Sequence, residues 1–236
     1  LAVVYNSTAM GLYTTASGYA STAMGNSSTA NGFTSTAMGR NTTASGDYST
    51  AMGYGTTASG IVSTALGFLT TASDYASTVI GQYNSSGSSV TNSASLFSTS
   101  NTAFVIGNGT SGSLSDAFKV MFNGDTTVSN DLTVSGDVVI SSDARLKSNI
   151  VSLGSTLPKL LQIDGKSYEM KGKQKIGVLA QEIQEVFPEL VSEDDNEMLA
   201  VNYQGLVPVL INALKEQQSE IDELKEQETK LSLIHI

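Results

Sequence analysis

The chain has 236 residues, with 12 Lys and Arg against 22 Asp and Glu and a net charge of −10. That balance argues against a nucleic-acid partner and reads as a solvated acidic surface. The absence of Cys excludes a disulfide framework and a zinc–thiolate centre, and no apolar run approaches the roughly 20 residues of a membrane span.

Residues 1–84 are periodic. Gly falls every seventh residue from Gly11 to Gly67, Asp74 takes the slot once, and Gly81 restores it. An Ala stands two residues before each slot from Ala9 to Ala72, with Val79 last. STAMG-type and TTASG-type steps alternate, so the unit is a fourteen-residue double repeat, the signature of a stacked solenoid. Each step is too short for a helix. Its Ser, Thr and Val favour extended backbone, and Gly is expected at the turn. The Ala positions, with Met10, Met24, Met38, Met52, Leu66 and Ile80 beside them, predict an inward row that one coil cannot bury alone. Up to Ser115 the charged residues are Arg40, Asp47 and Asp74, which leaves no pair of carboxylates suited to glycoside hydrolysis. The Thr pairs (Thr14-Thr15, Thr42-Thr43, Thr56-Thr57, Thr70-Thr71) leave open a flat hydroxyl ladder of the kind that binds ice. Steps such as Ser21-Thr22-Ala23-Met24-Gly25 and Ser35-Thr36-Ala37-Met38-Gly39 resemble the YadA-like head repeat of trimeric autotransporter adhesins. This resemblance covers about residues 5–83 and implies a left-handed parallel β-roll in a homotrimer.

Residues 85–141 read as a connector. Its Ser/Thr/Asn/Gly-rich start, 85–102, predicts loops, and strand signals follow over 103–106 and 117–122. Asp125, Asp131, Asp137 and Asp143 are then six apart, as are Val128, Val134 and Ile140. A hexad of this kind suits a β-rich fibre shaft wound from several chains. The Asp row is better read as turn chemistry than as metal ligation.

Residues 142–230 carry the candidate chemistry. The blocks are Ser141–Ile150, Asp164–Met170, Ile176–Val191 and Val201–Glu216. In this order they resemble the intramolecular chaperone and auto-processing peptidase domain of endosialidase-type phage tailspikes. The resemblance implies a domain that guides trimer folding at the end of a fibre and then cuts itself off. It carries a Ser-x-x-x-x-Lys dyad onto Ser142 and Lys147, with Ser141 as the alternative nucleophile. Lys can serve as the base for a Ser hydroxyl where no His is present, provided burial frees its amine. Arg145 is expected in a structural ion pair. Gln181–Phe187 reads as a short helix stopped near Pro188, and Val191–Ala200, with Glu193, Asp194 and Asp195, as a turn. A long helix starts near Tyr203. Val207, Leu210, Leu214, Gln217, Ile221, Leu224 and Leu231 fit a and d heptad positions, with Glu228 at an a position. The heptads suggest a coiled coil, and the resemblance makes it a trimer. Residues 231–236, which include His235, read as a sequencing-adaptor scar; with Leu1 rather than Met at the start, the chain reads as a fragment.

The combined expectation is a mainly β solenoid and shaft followed by a small α+β domain ending in a coiled-coil helix. Functionally it is a homotrimeric phage tail fibre on a virion, bound to a host-cell surface receptor, with Ser142 and Lys147 as an autoproteolytic dyad. The expectation includes no metal, no cofactor, no nucleic acid and no membrane span. A bacterial cell-surface or secreted adhesin carrying the same chaperone is the alternative, and an ice-binding solenoid is a more remote one.

Overall fold

The computed structural model describes residues 1–2, 5–193 and 197–234. Asp194 and Asp195 of the expected acidic turn, and His235 and Ile236 of the expected scar, lie outside the described residues. The chain divides into two compact units, Leu1–Val138 and Val139–Ile236.

The first unit is a β-solenoid. Each fourteen-residue coil contributes a five-residue strand and a two-residue strand. In chain order these are β1 (Thr8–Leu12), β2 (Thr15–Ala16), β3 (Thr22–Asn26), β4 (Thr29–Ala30), β5 (Thr36–Arg40), β6 (Thr43–Ala44), β7 (Thr50–Tyr54), β8 (Thr57–Ala58), β9 (Thr64–Phe68), β10 (Thr71–Ala72) and β11 (Thr78–Gln82). The long strands stack in parallel in one sheet and the short ones in a second. Every residue pairs with its counterpart one coil on, so Ala23 faces Ala37 and Gly25 faces Gly39. The predicted strands after the loops join the long sheet. Thus β12 (Thr102–Asn108) pairs with β11 in parallel, and β13 (Asp116–Met121) and β14 (Thr126–Val128) extend it antiparallel.

Between the two sheets runs a core narrow enough to hold mainly methyl groups. Ala16, Ala23, Ala30, Ala37, Ala44, Ala51, Ala58, Ala65 and Ala72 are fully buried, and Val79 and Val105 close the row. Each buried methyl contributes only about 0.8 kcal/mol. Met10, Met24, Met38, Met52, Leu66 and Ile80 point to the outer face instead, and Met10 remains 57% exposed. The inward row is therefore Ala until Val79 and Val105 end it, and the larger apolar side chains form a separate, partly exposed stripe. In each Thr pair one hydroxyl turns inward: Thr42, Thr56 and Thr70 are buried while Thr43, Thr57 and Thr71 are not.

Glycine takes two places in the coil: Gly18, Gly32, Gly46 and Gly60 open the expected turn, with Ser21 N–H on the Gly18 carbonyl at 3.2 Å, whereas the glycines between them lie in the long strands. Gly39 lies within β5 at φ +126, and a methyl placed on it would sit 2.0 Å from the Gly53 carbonyl oxygen of the next coil. The slot thus needs glycine for conformation and for space. The corner falls two residues later, where Asn6, Tyr13, Ala20, Ser27, Thr34, Asn41, Tyr48, Gly55, Val62, Leu69, Ala76 and Tyr83 adopt left-handed backbone. Most of these corners donate an N–H to the preceding coil, as Thr34 does to the Tyr19 carbonyl at 2.8 Å and Val62 to the Asp47 carbonyl at 2.8 Å. Aromatic side chains stack along the outside, Tyr19 on Phe33 at 5.2 Å and Tyr54 on Phe68 at 5.0 Å.

The last coil is closed by polar side chains that imitate a further strand. Where earlier coils bond Thr57 N–H to the Thr70 carbonyl, Thr71 N–H donates to the Asn84 side-chain oxygen at 2.8 Å. Asp74, fully buried in the one altered glycine slot, accepts from Thr91 N at 2.6 Å and Thr102 N at 2.8 Å. Of the hexad, Asp125 bonds to Asn123 in a local turn, and Val134 and Ile140 are exposed. Beyond β14, residues 129–138 carry no strand in the single chain.

The second unit is α+β. Its elements are α1 (Leu157–Leu160), β15 (Lys166–Met170), β16 (Lys173–Gly177), α2 (Ala180–Val186), β17 (Val191–Glu193), β18 (Leu199–Val201) and α3 (Leu206–Ile234). As expected, α2 stops before Pro188, which opens a 3-10 turn through Leu190. The segment expected as a turn is a hairpin of β17 and β18. Ile183, Phe187 and Val209 form the buried centre, with Leu160, Ile163, Val178 and Leu206 around them. Leu206, Val209 and Ala213, spaced three and four apart, place one face of α3 inward. Its heptad row lies on the adjacent face, with Leu214 and Leu224 each 63% exposed.

Candidate functional site

The sequence Ser142-Asp143-Ala144-Arg145-Leu146-Lys147 folds as a capped single turn. Asp143 is in extended backbone (φ −63, ψ 134) and its carboxylate accepts the Arg145 N–H at 2.9 Å, which starts a 3-10 turn over Ala144–Leu146. The turn closes with Lys147 N–H on the Ala144 carbonyl at 3.1 Å. Reversing the chain in this way carries the side chain of Lys147 back over five positions. Its Nζ donates to Ser142 Oγ at 2.7 Å. Lys147 reaches Ser142 rather than the neighbouring Ser141, and all three residues are solvent-exposed in the single chain. No ion pair engages Lys147 among the described residues.

Arg145 makes the ion pair expected of it. Its Nη2 lies 2.7 Å from Asp143 Oδ2, and its Nε contacts both carboxylate oxygens at 3.0 and 3.1 Å. The guanidinium holds the Asp143 carboxyl below its ordinary value, and Asp143 in turn raises that of Arg145. A nucleophile with a base at hydrogen-bond distance can perform acyl transfer on a nearby carbonyl.

Asp143 caps its turn, in keeping with the turn chemistry expected of the Asp row. A second contributor has no signal in the sequence. Glu216 on α3 accepts from Thr156 N at 2.5 Å and from Ser155 Oγ at 2.7 Å, capping α1 from sixty residues away. These bonds hold the Glu216 carboxyl below its ordinary value. A separate cavity of about 330 Å³ is lined by Tyr168, Val178, Leu179, Glu197, Leu199 and Tyr203 among others and is mostly apolar. Among the described residues no cluster of three or more His, Cys, Asp or Glu could hold a metal ion, and no helix is long and apolar enough to cross a membrane.

Comparison with known families gives two matches. Residues 142–192 match the family described as chaperone of endosialidase, a match that opens at Ser142 itself. Residues 5–28, 30–56 and 58–84 match the YadA head domain repeat. No curated protein matches the chain. The solenoid is thus similar to an adhesin head, and the second unit to an endosialidase chaperone with its peptidase character.

Proposed function

We propose that the chain is part of a homotrimeric surface fibre, a phage tail fibre by preference, whose second unit assists assembly and then releases itself by cleavage between Ser141 and Ser142. The domain plan is a β-roll head over 1–84, a connector and shaft over 85–141 and a self-processing chaperone over 142–230. One observation carries the reading: the 2.7 Å contact of Ser142 Oγ with Lys147 Nζ, at the residue where the chaperone match begins. A bacterial cell-surface adhesin would use the same parts, and either would bind a receptor on a cell surface.

In the proposed reaction the Lys147 amine takes the Ser142 hydroxyl proton. Oγ attacks the Ser141 carbonyl carbon, and the amide nitrogen leaves with the proton returned by Lys147, which converts the amide to an ester. Water then hydrolyses the ester, so that one water is consumed and one carboxylate and one amine are released. A solvent-exposed lysine is protonated at neutral pH, so cleavage requires that assembly enclose Lys147. This order makes the cut a consequence of correct folding. Expression of the chain as an assembled trimer should give two fragments, the smaller beginning at Ser142. Ser142→Ala, Lys147→Ala and Lys147→Arg should each leave the trimer intact and uncut, because a guanidinium does not deprotonate. Cleavage of Ser142→Ala at the wild-type rate, read by mass spectrometry of the fragments, would overturn the assignment.

A further inference from the structure

We infer that Asp143 and Arg145 are positioning residues for this site, and that Arg145 keeps the Asp143 carboxylate from pairing with Lys147. The inference rests on the autoproteolytic reading above. Asp143 directly follows Ser142, whose Oγ takes the Lys147 Nζ bond, so its carboxylate belongs to the same turn as the base. The turn is solvent-exposed, and the charged groups it carries besides Lys147 are Asp143 and Arg145. A free carboxylate there would hold Lys147 as an ammonium, unable to accept the Ser142 proton. Arg145 prevents this by occupying the acceptor. Asp143 Oδ1 takes the Arg145 backbone N–H at 2.9 Å and Nε at 3.0 Å, while Oδ2 takes Nη2 at 2.7 Å and Nε at 3.1 Å. Each oxygen accepts two bonds, which leaves no good geometry for a third donor. The planar guanidinium matches a carboxylate better than an ammonium does, and it keeps its charge at every pH of interest. Asp143 therefore does two things at once: it caps the turn, and it stays electrically silent toward the base.

The test is the pH dependence of cleavage in the full trimeric chain. Arg145→Gln should free the carboxylate and displace the rate profile by about one pH unit toward alkaline, a loss of about tenfold at neutral pH. Adding Asp143→Asn to Arg145→Gln keeps a capping side chain and removes the charge, so the midpoint should return to that of the wild type. Arg145→Lys keeps the cation and should move the midpoint less than Arg145→Gln does. A purely structural pair would lower the rate equally at all pH values in both single variants, with no displacement; that result overturns the inference. So does failure of the double variant to restore the midpoint. Where a variant yields too little trimer to time, titration of the Lys147 ¹³Cε resonance in the uncut Ser142→Ala background reads the same displacement, and an unmoved titration is equally fatal. A wild-type chain that stays intact, or a Ser142→Ala chain that cuts, overturns the underlying reading and the inference with it. A wild-type chain that cuts while its variants show no displacement sinks the inference alone.

Discussion

Asn41 and Val62 occupy equivalent corners of the solenoid, both in left-handed backbone. Asn adopts that conformation readily, whereas a β-branched residue is strained there by roughly 1–2 kcal/mol. Val62→Asn should therefore stabilise the solenoid by about 0.5–1 kcal/mol, seen as a higher Tm, and an unchanged or lower Tm would show that the corner tolerates any side chain. The reverse holds in the glycine slot. Gly39→Val adds a branched side chain at φ +126 against the Gly53 carbonyl, and should cost about 3 kcal/mol or more in a denaturant titration. The slot was legible in the sequence because close approach to the next coil leaves little room for anything but glycine, with Asp74 at the end of the stack the exception. The corner was not, because Thr34, Val62 and Leu69 show that its residue type is free. Its conformation is fixed by the hydrogen bond to the preceding coil, which no local sequence pattern records.

At the scale of elements, each coil touches only its neighbours, and its strands meet the next coil in the same register throughout. Deleting residues 36–49 joins Ser35 to Thr50 and preserves that register. The shortened chain should melt cooperatively and lose less stability than the single Gly39→Val substitution; a larger loss would show coupling beyond neighbours. The junction of α1 and α3 in the second unit behaves differently. The folded carboxyl of Glu216 is held below its ordinary value of about 4.3. Its contribution is therefore present above that value and lost as pH falls through the still lower folded one. Acid should loosen this unit, and Glu216→Gln should weaken it at pH 7 and flatten that acid response, read from its melting between pH 3 and pH 7. The helices α2 and α3 were legible from apolar spacing and Pro188, while β15 and β16 were not. Their Lys173-Gln174-Lys175 run shows no alternation, and the hairpin owes its place to pairing across the turn. The Glu216 cap was equally hidden, since its partners lie sixty residues away.

For the whole molecule, three apolar rows stay partly or fully exposed in the single chain: Met10 to Ile80 on the solenoid, Val128, Val134 and Ile140 in the connector, and Leu210, Leu214, Ile221 and Leu224 on α3. Each recurs with the period of its own element, as a surface built to meet copies of itself would. Sedimentation at micromolar concentration should find a homotrimer, and a well-folded monomer would contradict the proposal. The rows were legible as periods in the sequence, but their side was not: the Met row was expected to face inward, and the Ala-wide core leaves it no room there.

The constant register of the coils has a cost in information. One coil cannot be told from the next by its backbone pairing, so chains associating along their solenoids can settle one coil out of step at almost equal energy. What distinguishes the correct alignment is the few places where the pattern breaks: Arg40 over the Tyr54 ring, Gly55 at a corner that holds larger residues elsewhere, and Asp74 under its polar lid. These irregularities act as fiducial marks, and erasing them by making every coil identical would leave the fold intact while removing the landmarks by which one phase is chosen over another.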